Sequence, residues 1–400
     1  MTLAPVSSWR RTGLATAVAI SLPALAAAQA VTLAGGRVTV GGEAALTIGP
    51  HDRWFFNYTD YKSSALRLAR FDLSGAWRPT KQVELVADVR TENLDSPRML
   101  AVYLRVRPWA SKTFDLQAGR IPPTFGAFAR RNYASDTPLI GYPLAYQYLT
   151  SLRPDALPAT SGDLLRMRGR GWLSSFPLGV QTPAAGMPLV NAFRWDTGIQ
   201  ARIGSKPVEV LAAVTTGTLS SPRVRDDNGG KQLSARLTGH PTVGLVLGVS
   251  AARGAYLARD VMAIVRATRP EQRSAHQTVW GADAEYSRGY WLVRAEGVWS
   301  SWGLPALPDP GLGRALHARG LMLEGRYKIR PGFYAAARGD HLDFSDVRGI
   351  PWDAPVWRVE GGVGVSLRRN LLLKGVYQHS RREGTPAHLR AFAGQFVAWF

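Results

Sequence analysis

The sequence predicts an all-β fold: a transmembrane antiparallel β-barrel of sixteen strands, with one long loop folded inward after the fifth. Three observations carry this. From Val31 onward apolar and polar residues alternate with period two, the connectors alternate short and long, and the chain opens on an export leader. Alternation sets one face of each strand on an apolar medium and the other on a polar one.

The leader comes first. Arg10 and Arg11 form a basic start, Leu14 to Ala28 an apolar run, and Ala28-Gln29-Ala30 a small-x-small cleavage site. This reads as a signal peptide over 1–30, cleaved after Ala30 or, in the alternative, after Ala28. The twin arginine invites a folded-export reading, but a barrel crosses the inner membrane unfolded, so the general secretory route is expected. Residues 31–400 then form the barrel. With no cysteine in the chain, no disulfide holds it. The longest later uncharged stretch, Gly171 to Phe193, carries Pro177, Pro183 and Pro188 and makes a poor helical span. Short alternating strands escape averaged hydropathy, so a membrane barrel remains open.

The strands follow in order. In Lys81–Arg90, Val83, Leu85, Ala87 and Val89 share one face while Glu84, Asp88 and Arg90 share the other. Trp291–Trp299, Leu321–Ile329 and Trp357–Leu367 repeat the pattern. Strands are expected at 37–48, 66–77, 82–91, 100–107, 113–121, 191–203, 208–217, 231–239, 243–254, 277–287, 290–300, 316–329, 333–343, 355–367, 371–381 and 389–400. Aromatics near strand ends form two bands: Trp77, Trp109, Tyr286, Tyr290, Tyr327 and Phe333 on one side, and Trp54, Phe55, Phe56, Trp299, Trp302, Trp352 and Trp357 on the other. Short connectors such as Arg78–Lys81 and Arg330–Gly332 carry Pro or Gly, and long ones such as 49–65 and 255–276 alternate with them. A soluble sandwich gives no reason for that alternation. The outlier is 122–190, 69 residues holding nine of the 26 prolines. A loop so long is either functional or hides two more strands, for instance around Leu164–Leu173, for a total of eighteen.

The last strand, Leu389 to Phe400, ends on a C-terminal aromatic and resembles the terminal strand of bacterial outer-membrane β-barrels. Sixteen strands with the longest loop after the fifth resembles the trimeric general and substrate-selective porins of Gram-negative bacteria. Ala118-Gly-Arg-Ile-Pro-Pro-Thr-Phe-Gly126 is similar to a Pro-Pro-Phe-Gly-like motif of phosphate-selective-type porins, with Thr124 as an insertion. The resemblance implies an outer-membrane location, a homotrimer and a constriction built by the long loop.

The formal charge is +20; removing Arg10 and Arg11 leaves 20 − 2 = +18. Seven of the 49 basic residues are Lys, so 49 − 7 = 42 are Arg. An export leader makes nucleic acid an unexpected partner; anionic solutes and lipopolysaccharide phosphates fit the planar guanidinium better. If alternation assigns faces, the lumen receives Arg70, Arg90, Arg105, Arg107, Arg194, Arg202, Arg236, Arg294, Arg326, Lys328, Arg338, Arg358, Lys374 and Arg390. Against these stand Glu43, Asp72, Glu84, Asp88, Asp115, Asp196, Glu209, Asp283, Glu285, Glu296, Glu324, Asp340 and Glu360. Such a mixed wall implies a transverse field across a water-filled pore. The long loop adds Arg130, Arg131, Arg153, Arg166, Arg168 and Arg170 against Asp136, Asp155 and Asp163. A selectivity ring is expected from Arg130, Arg131, Arg166, Arg168 and Arg170 with wall residues Arg105 and Arg107, supported by Arg194, Arg294 and Arg326. The competing reading pairs these arginines with lipid phosphates or neighbouring carboxylates. Tyr133, Tyr142, Tyr146 and Tyr148 are expected to pack the loop against the wall.

No histidine pair has metal-ligand spacing, and no nucleophile elbow or phosphate loop occurs, so neither cofactor nor metal is expected. The leading expectation is passive diffusion of small hydrophilic solutes with modest anion preference. The alternatives are an outer-membrane hydrolase using a strand-end histidine, and a plugged structural or adhesion barrel.

Overall fold

The computed structural model describes residues 30–400 except 60–62, 110–112, 132, 206, 229, 269–274 and 308. The leader, residues 1–29, lies outside the described residues.

Sixteen long strands close into one antiparallel barrel. They are β1 (Val38–Ile48), β2 (Leu68–Trp77), β3 (Val83–Glu92), β4 (Arg98–Val106), β5 (Phe114–Ile121), β6 (Asp196–Ser205), β7 (Val208–Thr215) and β8 (Gln232–Thr242). The second half is β9 (Leu245–Ala255), β10 (His276–Arg288), β11 (Trp291–Gly303), β12 (Ala315–Arg330), β13 (Phe333–Phe344), β14 (Val356–Arg368), β15 (Leu371–Arg382) and β16 (His388–Trp399). A three-residue strand, Val31–Leu33, lies on the start of β1. Each barrel strand pairs with its neighbours in sequence, and β16 returns to β1 in the register Glu43↔Trp399 to Ile48↔Gly394. Phe400 finishes the seam: its N–H donates to the Gly42 carbonyl (3.0 Å) and its carbonyl accepts from the Gly42 N–H (3.1 Å). Closure matters because an open edge in hydrocarbon would leave peptide groups with nothing to bond.

The faces follow the alternation. Along β16, Leu389, Ala391, Ala393, Gln395 and Val397 turn inward and are buried, while Phe392 and Phe396 turn outward and are exposed. The outward band continues through Leu323, Val359, Ile199, Ile203, Val210, Leu237 and Val249. At the short-turn end Trp77, Trp109, Tyr286, Tyr290, Trp291 and Tyr327 stand exposed as one aromatic girdle.

Four expectations need correction. Arg390 falls on the outward face of β16, because the seam register puts Leu389 and Ala391 inside. Phe56, Trp302 and Trp352 do not join the second girdle; all three are fully buried inside, with Trp302 edge-on to Trp352 at 5.9 Å. The long loop forms no further barrel strand: Leu164–Leu173 holds the end of a short helix, α2 (Ser161–Arg166), and a turn. The sixth strand starts at Asp196, so the loop runs over 122–195.

The lumen is the largest departure. Instead of water, the long-loop half holds the 122–195 segment as a folded plug, which includes α1 (Leu144–Gln147) and a two-residue ladder between Ala156–Leu157 and Leu178–Gly179. Leu139, Leu144, Leu152, Leu157, Leu164 and Leu189 of the plug pack with inward wall residues Val279, Val298, Leu316, Leu342 and Val376. The molecule's main hydrophobic core is therefore inside the barrel.

Candidate functional site: a clamped plug above a basic vestibule

The plug is rooted in the segment Ile121-Pro122-Pro123-Thr124-Phe125-Gly126. Two prolines fix φ and end the β5 ladder. Thr124 then bonds Ser234 (Oγ1 to Oγ, 2.5 Å), and the fully buried Phe125 ring seats on Gly281 of β10, where any Cβ would strike it. Gly126 has φ +71°, and a Cβ there would overlap Tyr146 Oη and Glu296 Oε1. Only glycine meets both conditions.

Beyond the root, charged wall residues grip the plug's backbone. Three glutamates each take two consecutive plug N–H groups. Glu43 accepts from Ala134 (2.6 Å) and Ser135 (3.0 Å), Glu296 from Ala127 and Phe128 (both 3.2 Å), and Glu360 from Ile140 (3.2 Å) and Gly141 (2.9 Å). The wall cations take the carbonyls. Arg338 donates to Gly141 (2.8 Å), Arg358 to Tyr142 (2.9 Å), and Lys374 to Ala134 (2.5 Å). Arg338 also contacts Glu324 (3.4 Å), Asp340 (2.9 Å) and Glu360 (2.8 Å), and all four side chains are buried. Buried charges persist only where their bonding capacity is met, and here loop peptide groups meet much of it. Tyr142, Tyr146 and Tyr148 are buried among these contacts, and Tyr146 donates to Glu296.

The plug seals the wall. One inward residue from every strand lies in a tilted band near the long-loop end: Thr47, Leu68, Glu92, Ala101, Ile121, Asp196, Thr215, Gln232, Ala252, Gln277, Trp302, Leu316, Leu342, Arg358, Ser380 and Ala391. None is more than 9 % exposed. The plug covers the wall side chains all the way round at that level.

Below the plug, at the short-turn end, the lumen is wet and basic. Among the described residues water reaches eight inward-facing cations there: Arg105, Arg107, Arg130, Arg131, Arg202, Arg294, Arg326 and Lys328. It reaches four carboxylates among the described residues: Glu84, Asp136, Glu209 and Glu285. Arg105 and Arg107 share Asp115 (3.0 Å for Arg107), Arg131 reaches from the plug to Glu285 (2.5 Å), and Arg294 bridges Glu285 (2.9 Å) and Glu324 (3.1 Å). Arg202 meets Glu209 at 3.3 Å, and Arg326 lies over the Tyr334 ring at 5.8 Å. Arg130 is exposed and donates to the Pro123 carbonyl (3.1 Å).

The structure therefore gathers Arg105, Arg107, Arg130, Arg131, Arg294 and Arg326 around one vestibule. Arg194 borders a small cavity at the plug's root with Pro122 and Asp196. Arg166, Arg168 and Arg170 lie apart from them, around a cavity at the opposite mouth. The expected single ring is split in two because α2 and the turn after it carry Arg166, Arg168 and Arg170 to the plug's outer surface. Sequence reasoning placed Glu43, Glu296 and Glu360 in the lumen but missed their role. Their signal was a carboxylate in mid-strand on the inward face, facing a loop rich in unpaired peptide groups.

A scan against protein-family models and a search of curated proteins found no match. Solved structures do match. Vibrio cholerae OmpT, an outer membrane protein folded in vitro in a trimer form, aligns at 10 % identity with a TM-score of 0.51, over 91 % of this chain and 99 % of that one. Salmonella typhi OmpF in complex with daunomycin aligns at 9 % identity and 0.55, over 91 % and 97 %. An anion-selective porin from Comamonas acidovorans aligns at 9 % and 0.53, over 91 % and 99 %. The chain has the porin fold.

Proposed function

We propose that this chain is an outer-membrane channel that rests closed and, when its plug yields, passes small anionic solutes. The observation that carries the reading is the vestibule, where water meets eight cations and four carboxylates beneath a gripped plug. Excess fixed positive charge in a narrow low-dielectric mouth concentrates anions and repels cations. Arg105, Arg107, Arg130, Arg131, Arg294 and Arg326 are the residues proposed to meet the solute, with Arg194 beside the plug's root. In this reading the leader is cleaved after Ala30, the short turns face the periplasm and the long loops face outward. The fold likeness supports an outer-membrane setting with lipid and lipopolysaccharide around the girdles, and the OmpT trimer form supports a homotrimer.

The test is electrical. The refolded mature chain in a planar bilayer is expected to stay mostly closed at low voltage, with brief openings at higher voltage. Under a salt gradient the open-state reversal potential should favour anions. A cation-favouring potential, or a large steady conductance in the resting protein, would sink the proposal. The sealed band of sixteen wall residues favours one second reading, a permanently closed structural barrel. Silence at every voltage would support it.

A further inference from the structure

We propose that the outer mouth holds a binding site for a soluble organic anion, one that carries phosphate or carboxylate groups on a flat ring body. A cavity of about 550 Å³ opens there, walled by Arg53 and Phe55 of the first long loop, Arg168, Arg170 and Trp172 of the plug, and Arg382 of β15.

The first observation is a group of arginines outside any direct ion pair. Among the described residues, Arg53, Arg168, Arg170 and Arg382 form no ion pair with a carboxylate, whereas Arg166 at the rim is paired with Asp163. Two buried carboxylates lie behind the cavity and both are occupied: Asp353 by the N–H groups of Ser151 (2.6 Å), Gly169 (2.6 Å) and Ala354 (2.7 Å), and Asp52 by those of Trp54 (3.3 Å) and Asn57 (2.8 Å). Arg382 is held from behind: its Nε donates to Tyr148 Oη (2.7 Å) and its Nη2 to the Trp54 carbonyl (3.0 Å). Arg168 is anchored through Nε to the Pro351 carbonyl (3.1 Å), which leaves its terminal nitrogens for a guest. The turn beside it stands clear because Gly384 lies at φ +65°; a Cβ there would sit 2.8 Å from Arg168 Nη1. Planar guanidinium forks match the oxygens of phosphate and carboxylate groups.

The second observation is a built aromatic surface. Phe55 and Trp172 stack with centroids 5.4 Å apart at 14°, and Tyr58 leans on both at 4.7 and 4.4 Å. Phe55 holds φ +58°, a conformation a bulky residue seldom adopts unless its surroundings impose it. Flat faces beside cationic forks suit a ring bearing acidic groups. The cavity is on the lumen side, since Arg382 belongs to the inward face of β15 and Leu149 of the plug forms part of the floor. A free solute reaches it; a lipid headgroup in the surrounding leaflet faces the other side of the wall.

Binding is read by isothermal titration and tryptophan fluorescence on the refolded mature chain in detergent, with AMP as the probe. AMP should bind once per chain and saturably below about 1 mM. Adenosine and inorganic phosphate should each bind at least about tenfold more weakly, since each supplies half of the recognition. Arg168→Gln with Arg170→Gln should weaken AMP by about tenfold or more, while Arg319→Gln on the outer face should leave it unchanged. Both variants are first checked for the slower-denaturing, heat-shifted gel band of a folded barrel. The proposal falls if AMP shows no saturable binding, if the double variant binds as the parent does, or if lipopolysaccharide binds and AMP does not. None of these readouts depends on conductance, so they leave the channel reading untouched.

Discussion

At the scale of a single residue, Gly126 decides whether the plug can turn into the barrel. Its φ of +71° costs an L-residue about 1–2 kcal/mol, before any Cβ meets Tyr146 and Glu296. Those two atoms belong to the clamp that also holds Ala127 and Phe128, so an added methyl pushes on three hydrogen bonds at once. Gly126→Ala should therefore loosen the plug while the barrel still forms. Limited proteolysis should cut within 127–160 in the variant and spare the parent. Gly325→Ala is the control: its φ is not left-handed and nothing lies within 4 Å of the added methyl. Equal resistance in parent and Gly126→Ala would show that the turn tolerates a side chain.

Among elements, α2 shows how the plug's outer surface is tied down. Thr160 and Asp163 form a capping box, and the Asp309 carboxylate accepts from Ser161 N and Oγ (2.7 Å each) and from Gly311 N (2.8 Å). Those donors, with Arg348 close by, hold the Asp309 carboxyl far below the usual carboxylate range. The sign follows: a depressed folded pKa stabilises the tether above the unfolded value and loses it only as pH falls through the folded one. Hydrogen exchange at the Ser161 amide should thus stay slow as pH drops past about 4, where ordinary aspartates protonate. Release of that amide near pH 4 would contradict it. Little of this was legible in the sequence. The strands were, because period-two alternation is a local signal: every range but the sixth, which begins at Asp196 and not at 191, fell within three residues of its strand. Phe56, Trp302 and Trp352 were misplaced because an aromatic at a strand end looks the same whether it meets lipid or a plug. The plug's fold stayed hidden because its contacts join residues two hundred positions apart, such as Ile140 with Glu360.

At the level of the whole molecule, barrel and plug are two structures with different sources of stability. The barrel stands on a closed ladder of peptide hydrogen bonds, which lipid makes compulsory. The plug stands on a hydrophobic core and on wall charges that bind its backbone. Removing one clamp carboxylate leaves two N–H groups unmet, at about 1–3 kcal/mol for each that is fully buried. Loss of Glu43, Glu296 and Glu360 together orphans six such donors, so a marginally held plug should detach while the ladder is untouched. It also strips three carboxylates from a lumen already rich in arginine, so the opened pathway should prefer anions more strongly. The triple variant, each Glu replaced by Ala, is therefore expected to keep its folded-barrel gel mobility, to show steady conductance at low voltage, and to shift the reversal potential further toward anions. A folded triple variant that stays silent would mean that the hydrophobic core alone holds the plug shut. One that conducts cations would mean that the vestibule's excess of positive charge does not govern the path.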